Sequence, residues 1–330
     1  MSARRLIAAV VALLLGSFDL SVAAEPEGTV VWYSTLSTAN LDRIAGAFML
    51  RYPKIHVETL RMGSSQLAAR VITEQRGGTF GADVISGDLF QVSQLVAAGA
   101  FQRYRYAEAA KFLPFTTDAQ GYWVNLYAMT TVIAWNPERL KADRLTPPAS
   151  LDDFTKPEWK GRFGTDAEAM NWYLGLIATR KDADDLLRGI AANRPVITSG
   201  HAVTTTQVES GELDATPTSY GYLADADHRA GKPIDYLNPK PLLLTLTPVG
   251  LAAHAPHPGT ARMLIDWLVS REGQQFIASA GGGYLSTRTD VANNPRLWNP
   301  RNPYYVVPAP SPATFNAALR RFKAIFGIAG

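Results

Sequence analysis

Apolar and polar positions alternate along this chain in two rhythms, and they switch in a regular order. Residues 29–33 form a short apolar, β-branched and aromatic run, the pattern of a buried strand. A hydroxyl-rich corner follows, Ser34, Thr35, Ser37 and Thr38. Residues 39–52 then place Leu41, Ile44, Ala45 and Phe48 at helical spacing, with Ser37 or Thr38 as N-cap and Pro53 as the stop. The cycle repeats. Residues 55–60 alternate as a strand, Gly63, Ser64 and Ser65 make a small-residue corner, and a helix runs over 66–76. A third strand over 82–86 meets a third corner, Gly87 and Asp88, and a helix over 89–98. Strand–helix alternation of this kind predicts a parallel sheet covered by helices. Right-handed crossovers would bring all three corners to one edge.

A second series follows a linker over 147–160. Residues 162–165 lead through Thr165 to Asp166 and a helix that carries Trp172, Tyr173 and Ile177, rings whose spacing suits a core. Another helix is expected over 182–192. Residues 195–198 then run into Ser199, Gly200 and His201, opening a helix that ends near Glu209. A strand over 213–218 leads into a polar turn with Ser219, Tyr220, Gly221 and Tyr222, then a further helix. Two longer apolar stretches, 126–135 and 242–253, bracket this series and read as crossings between two lobes. Pro248 lies inside the second, which puts it at a sheet edge or a bulge. Helices are expected over 259–270, 272–280 and 312–326, the last after a Pro- and Asn-rich stretch.

Composition narrows the function. The chain has 330 residues, enough for two lobes, and its 47% apolar and 18% charged content is that of a globular protein. A formal charge of +3 with no basic block offers nucleic acid no footprint. There is no Cys, which excludes disulfides, Cys-ligated zinc, iron–sulfur clusters and an N-terminal lipidated Cys. Arg4 and Arg5, a short apolar run over 6–15 and small residues over 21–24 predict a cleaved secretory signal over 1–24, and hence an exported, periplasmic protein. His56, His228, His254 and His257 lack metal-ligand spacing and read as structural or surface residues. No nucleophile elbow or phosphate-cradling lysine loop occurs. A secreted hydrolase using Asp88 or Asp166 as base is the reading from another class, and it lacks a nucleophile–base pair.

The order of several phrases resembles the bacterial extracellular solute-binding proteins that serve ABC importers. These are the opening 30–34, the stretch Phe48 to Val57, Ala82-Asp83-Val84, Ile133-Ala134-Trp135-Asn136, Pro157 to Arg162, Gly211-Glu212-Leu213-Asp214-Ala215, Glu272-Gly273-Gln274-Gln275-Phe276 and Tyr284 to Arg288. The likeness is nearest to the ferric-ion-binding branch. It implies an α/β, two-lobed type II periplasmic binding fold, with doubly wound sheets joined by a two-strand hinge. It implies a first lobe over 25–130, with 248–330 returning to or packing on it, and a second lobe over 131–247. It further implies a binding protein rather than an enzyme, with no resident cofactor, acting as a monomer with an inner-membrane permease as partner.

Carried over residue by residue, the resemblance makes Tyr220, Tyr222 and Asp88 ligands of a transported ferric ion. Asp166 to Glu168 and His201 become the holders of a companion anion. This sequence departs from the branch in three ways. Its tyrosines are separated by Gly221, Ser37 or Thr38 stands where a His is usual, and an Arg is missing near Gly281. Fe³⁺ prefers hard oxygen donors, which two phenolates and a carboxylate supply. An organic anion held by helix N-termini and by Ser34, Thr35, Ser37, Thr38, Ser64, Ser65, Thr165 and Thr204 is the alternative, with Tyr220 and Tyr222 stacking or donating.

Overall fold

The computed structural model describes residues 28–280, 282–299 and 301–328. The expected signal segment and position 281 lie outside them. In chain order the elements are β1 (Gly28–Ser34), α1 (Thr38–Arg51), β2 (Ile55–Arg61), α2 (Ser64–Arg76), β3 (Val84–Ser86), α3 (Leu89–Ala97), β4 (Val124–Trp135) and α4 (Pro137–Ala142). Then come β5 (Gly164–Asp166), α5 (Met170–Thr179), α6 (Ala183–Ala192), β6 (Val196–Thr198), α7 (His201–Glu209), β7 (Ala215–Tyr220), α8 (Gly221–Arg229), β8 (Asp235–Leu237) and β9 (Leu242–Leu251). The chain closes with α9 (Pro258–Val269), α10 (Arg271–Ala278), β10 (Tyr304–Val306) and α11 (Pro312–Phe326).

Strand β1 shows how the sequence builds the first half. Its neighbours β2 and β3 are both parallel to it. Side chains alternate across a strand. Val30 and Trp32 therefore join one core, with Leu41, Ile44 and Phe48 of α1 and Leu264 of α9. Tyr33 joins the other, with Leu67 and Val71 of α2 and Leu95 of α3. Both faces are covered, as a parallel sheet requires.

Strands β4 and β9 carry the sheet from one half to the other. They pair antiparallel over most of their length. One end of β9 pairs β3, while the far end of β4, from Thr131 to Trp135, pairs β7 and β8. The result is a continuous sheet of order β2-β1-β3-β9-β4-β7, with β5 and β6 as a separate pair. The expected two-strand crossing between the halves is made by β4 and β9, which join the strands of both halves into one hydrogen-bonded sheet. Pro248 stands in the interior of that sheet, opposite a bulge in β4 between Asn125 and Tyr127. Asn125 Oδ1 accepts the Thr247 N–H there, at 3.1 Å. The bulge, not an edge, accommodates the missing proline N–H.

The second half packs Phe154, Phe163, Trp172, Tyr173, Leu187 and Ile190 around α5 and α6. Trp172 and Tyr173 are core, whereas Ile177 faces solvent. Helix α11 joins this core through the fully buried Phe322, which meets Tyr173 at 5.5 Å between rings. Of the stretch 248–330, expected to return to or pack on the first lobe, α9 and α10 share the core of β1 and α1, while α11 packs on the second half. Residues 312–326 have their apolar stripe satisfied by α5 and α6 instead.

Candidate functional site

A cavity of about 750 Å³ opens between the two halves. The first half lines it with Ser64, Ser65, Asp88 and Gln91, and the second with Asp166, Glu168, Asn171, His201, Tyr220 and Tyr222. Each side chain sits where a strand hands over to a helix. Ser64 and Ser65 open α2, which has no acidic residue in its first turn. Asp88 caps α3, its Oδ1 accepting the Phe90 N–H at 2.9 Å. His201 opens α7, and Tyr220 is both the end of β7 and the N-cap of α8. Helix N-termini converge on one space, and each presents backbone N–H groups and the positive end of a dipole.

Asp88 reaches across the space. Asn171 Nδ2, on α5 of the opposite wall, donates to its Oδ2 at 2.8 Å. Burial, partly offset by these hydrogen bonds, holds the Asp88 carboxyl above its ordinary range. Asp166 is spent differently. Its Oδ1 accepts the Glu168 and Gly200 N–H groups at 3.0 and 2.9 Å, and its Oδ2 lies 3.1 Å from His201 Nε2. His201 Nδ1 meets the Thr218 carbonyl and so must carry hydrogen, because a carbonyl only accepts. Burial pulls the His201 pKa down, while Asp166 and the Thr218 carbonyl pull against it. Nε2 faces the Asp166 carboxylate, whose buried Oδ2 has no hydrogen-bond partner among the described residues.

The rings form a continuous stack. His201 lies 3.9 Å from Tyr220, Tyr220 lies 5.9 Å from Tyr222, and Tyr222 lies 4.5 Å from Tyr284, all between ring centres. Asn40 donates to the Tyr284 hydroxyl at 2.9 Å, and Ser37 and Tyr222 also bond to it. Burial, followed by the nearby Asp88 and Asp166 carboxylates, holds the Tyr220 hydroxyl far above the usual phenol range. Burial and Tyr284 do the same to Tyr222. The expected polar turn between β7 and α8 does not form; the strand runs directly into the helix. Gly221 explains the split tyrosine pair. A Cβ there would stand 2.4 Å from Thr130 Oγ1 and 2.9 Å from Leu297 Cδ2, so α8 lies against β4 too closely for any side chain.

Of the residues singled out in the sequence, Ser64, Ser65, Asp88, Asp166, His201, Tyr220 and Tyr222 share this cavity. Ser34 does not reach it: buried beneath the first corner, it bonds to Ser86 at 2.8 Å and accepts the Leu36 N–H. Thr35 packs at Gly87, and Thr165 in β5 and Thr204 in α7 are fully buried, so none of the three lines the cavity. Ser37 and Thr38 are exposed at the start of α1, and only Ser37 connects to the site, through Tyr284. Ser37 does stand at the N-cap, but its side chain makes no cap bond. The sequence reading missed Gln91, Asn171, Tyr284, Phe315, Leu319 and Lys323. Asn171 lies in the first turn of α5, the helix that follows Asp166, the one local signal among them.

No described helix is long and apolar enough to cross a membrane. Among the described residues no group of three His, Cys, Asp or Glu side chains could hold a metal ion. The profile of the bacterial extracellular solute-binding proteins matches residues 44–303. The chain belongs to that family. Its members are transport binding proteins. This solute-binding protein is 24% identical over 307 residues to an Fe(3+)-binding periplasmic protein of Serratia marcescens, covering 87% of this chain and 88% of that one. Its fold matches iron-bound HitA from Pseudomonas aeruginosa with a TM-score of 0.74 at 24% identity, over 91% of this chain and 99% of that one. It matches AfuA from Actinobacillus pleuropneumoniae, with fructose-6-phosphate bound, at a TM-score of 0.78 and 19% identity, over 92% and 100% of the two chains. These likenesses confirm the two-lobed α/β periplasmic binding fold.

Proposed function

We propose that this protein captures a small anion-bearing solute between its two halves in the periplasm and presents it to an ABC permease. One observation carries the reading: corners from both halves open on a single cavity, and the Asp88–Asn171 hydrogen bond already joins its two walls. Such an arrangement suits closure about strands β4 and β9. The role is that of a carrier, not a catalyst. Asp166 Oδ1 is taken by two backbone N–H groups, and Asp88 is engaged by a helix cap and Asn171.

The cargo that suits the site best is an organic anion. A carboxylate or phosphonate group would take the N–H groups at the starts of α2, α5 and α8, none of which has an acidic residue in its first turn. The tyrosine stack would cover the cargo's body. Ferric ion with a companion anion is the second reading, supported by three oxygen donors near one another, Tyr220, Tyr222 and Asp88, and by the iron-binding relative. A solute panel in thermal unfolding tests the role, because a ligand that binds only the folded form raises its stability. Stabilisation by one solute is expected; turnover without stabilisation by any of them would overturn the proposal. Iron binding is separable from the rest. Each phenol must lose its proton to bind Fe³⁺, so affinity would rise with pH and the protein would be coloured. A colourless, pH-insensitive complex with an organic anion supports the first reading.

A further inference from the structure

We infer that Lys323, carried across the mouth of the cavity by the last helix, binds the anionic group of the cargo and selects for it. The inference rests on the capture role just proposed and deepens it. Phe315, Leu319 and Lys323 are spaced four residues apart on α11, so they lie on one helical face, and all three line the cavity. The opposite face is anchored. Phe322 is fully buried against Tyr173, and Arg321 pairs with Asp184. Both ends are fixed as well, Ser311 capping the start through the Thr314 N–H and Gly327 closing the end in the left-handed conformation. Phe315 stacks on Phe90 of α3 at 4.1 Å and 13°. The helix is therefore rooted in the second half while its first turn touches the first half, and it spans the opening.

The charge pattern then singles out one residue. Lys323 is the only Lys or Arg among the described residues that line the cavity, and its ammonium has no hydrogen bond or ion pair among them. Asp166 faces His201 and backbone N–H groups of its own wall and makes no ion pair with the lysine. Nearby Gln91 Oε1 is also buried without a partner. A half-buried, unpaired ammonium in a cavity that helix N-termini also line strengthens binding of an anion and opposes a bare cation. No side chain on α11 was singled out by the sequence reading, because its place in the cavity depends on packing against α5 and α6.

The test is calorimetric titration of inorganic phosphate into the full chain, alongside Lys323→Gln, Lys323→Arg and the double variant Ser64→Ala/Ser65→Ala. Thermal unfolding of each variant checks that it is folded. Phosphate should bind the wild type, weaken about tenfold in Lys323→Gln, and recover most of its affinity in Lys323→Arg. The salt dependence should be shallower in Lys323→Gln than in the wild type. If Lys323→Gln binds as the wild type does while the serine variant is weakened, the lysine assignment fails and the cleft reading stands. If both variants bind like the wild type, phosphate binds elsewhere and both fail. If the wild type binds no phosphate, the lysine assignment and the anion-bearing cargo fail together.

Discussion

The two walls of the cavity hold an aspartate in nearly the same local setting, and they use it differently. Asp88 follows β3 and Asp166 ends β5, and each accepts backbone N–H donors from the residues leading into a helix. Asp166 spends its second oxygen on His201 of its own wall, at 3.1 Å. Asp88 gives its second oxygen to Asn171 of the opposite wall, at 2.8 Å. One carboxylate makes a wall rigid, and the other makes a contact that can break when the walls part. The difference lies in the partner and not in the residue.

Four variants test that contrast, in order of expected effect. Asp166→Ala strips the buried His201 of its carboxylate and leaves the Gly200 N–H without an acceptor, so it should cost about 3 kcal/mol in denaturant unfolding. A loss no larger than that of Asp88→Ala would erase the distinction. Gly221→Ala forces a methyl into Thr130 and Leu297 and should cost about 2 kcal/mol. It should also turn Tyr220 and Tyr222 out of the stack, visible as a changed near-ultraviolet circular dichroism spectrum. Asp88→Ala removes one helix cap and should cost about 1 kcal/mol. Its larger consequence is geometric, a more open particle in small-angle X-ray scattering. The smallest effect is on pH dependence. The Asp88 carboxyl is raised by burial above 3.8, so it binds its proton more readily in the folded chain. The stability it contributes is complete below that value and is lost as pH rises through the folded one. In Asp88→Asn that downward slope should disappear; an unchanged slope would assign it to another group.

What the sequence shows and hides follows the same division. The corners at Ser64, Asp88, Asp166 and His201 were legible because a strand ending in a helix cap is a local pattern. So was the core of β1, whose alternating residues face two helical layers. Tyr284, Phe315 and Lys323 were not legible. Tyr284 packs on the cavity residue Tyr222 and is held by Asn40, 244 residues away, while Phe315 lines the cavity where it stacks on Phe90. Ser34 misled for a related reason: a strand-end hydroxyl looks available, but Ser86 on the neighbouring strand had already engaged it. The split tyrosines remain a departure from the iron-binding pattern, and the contact of Gly221 with β4 gives the separation a steric cause.

The account depends on cargo being held by both walls at once. Native mass spectrometry of protein purified from bacterial periplasm measures this most directly, comparing the wild type with Ser64→Ala/Ser65→Ala on one wall and Tyr220→Ala on the other. One small-molecule adduct per chain in the wild type, lost in either variant, is the predicted result. An adduct retained equally in all three proteins, or absent from the wild type after growth and titration with the full solute panel, would contradict it.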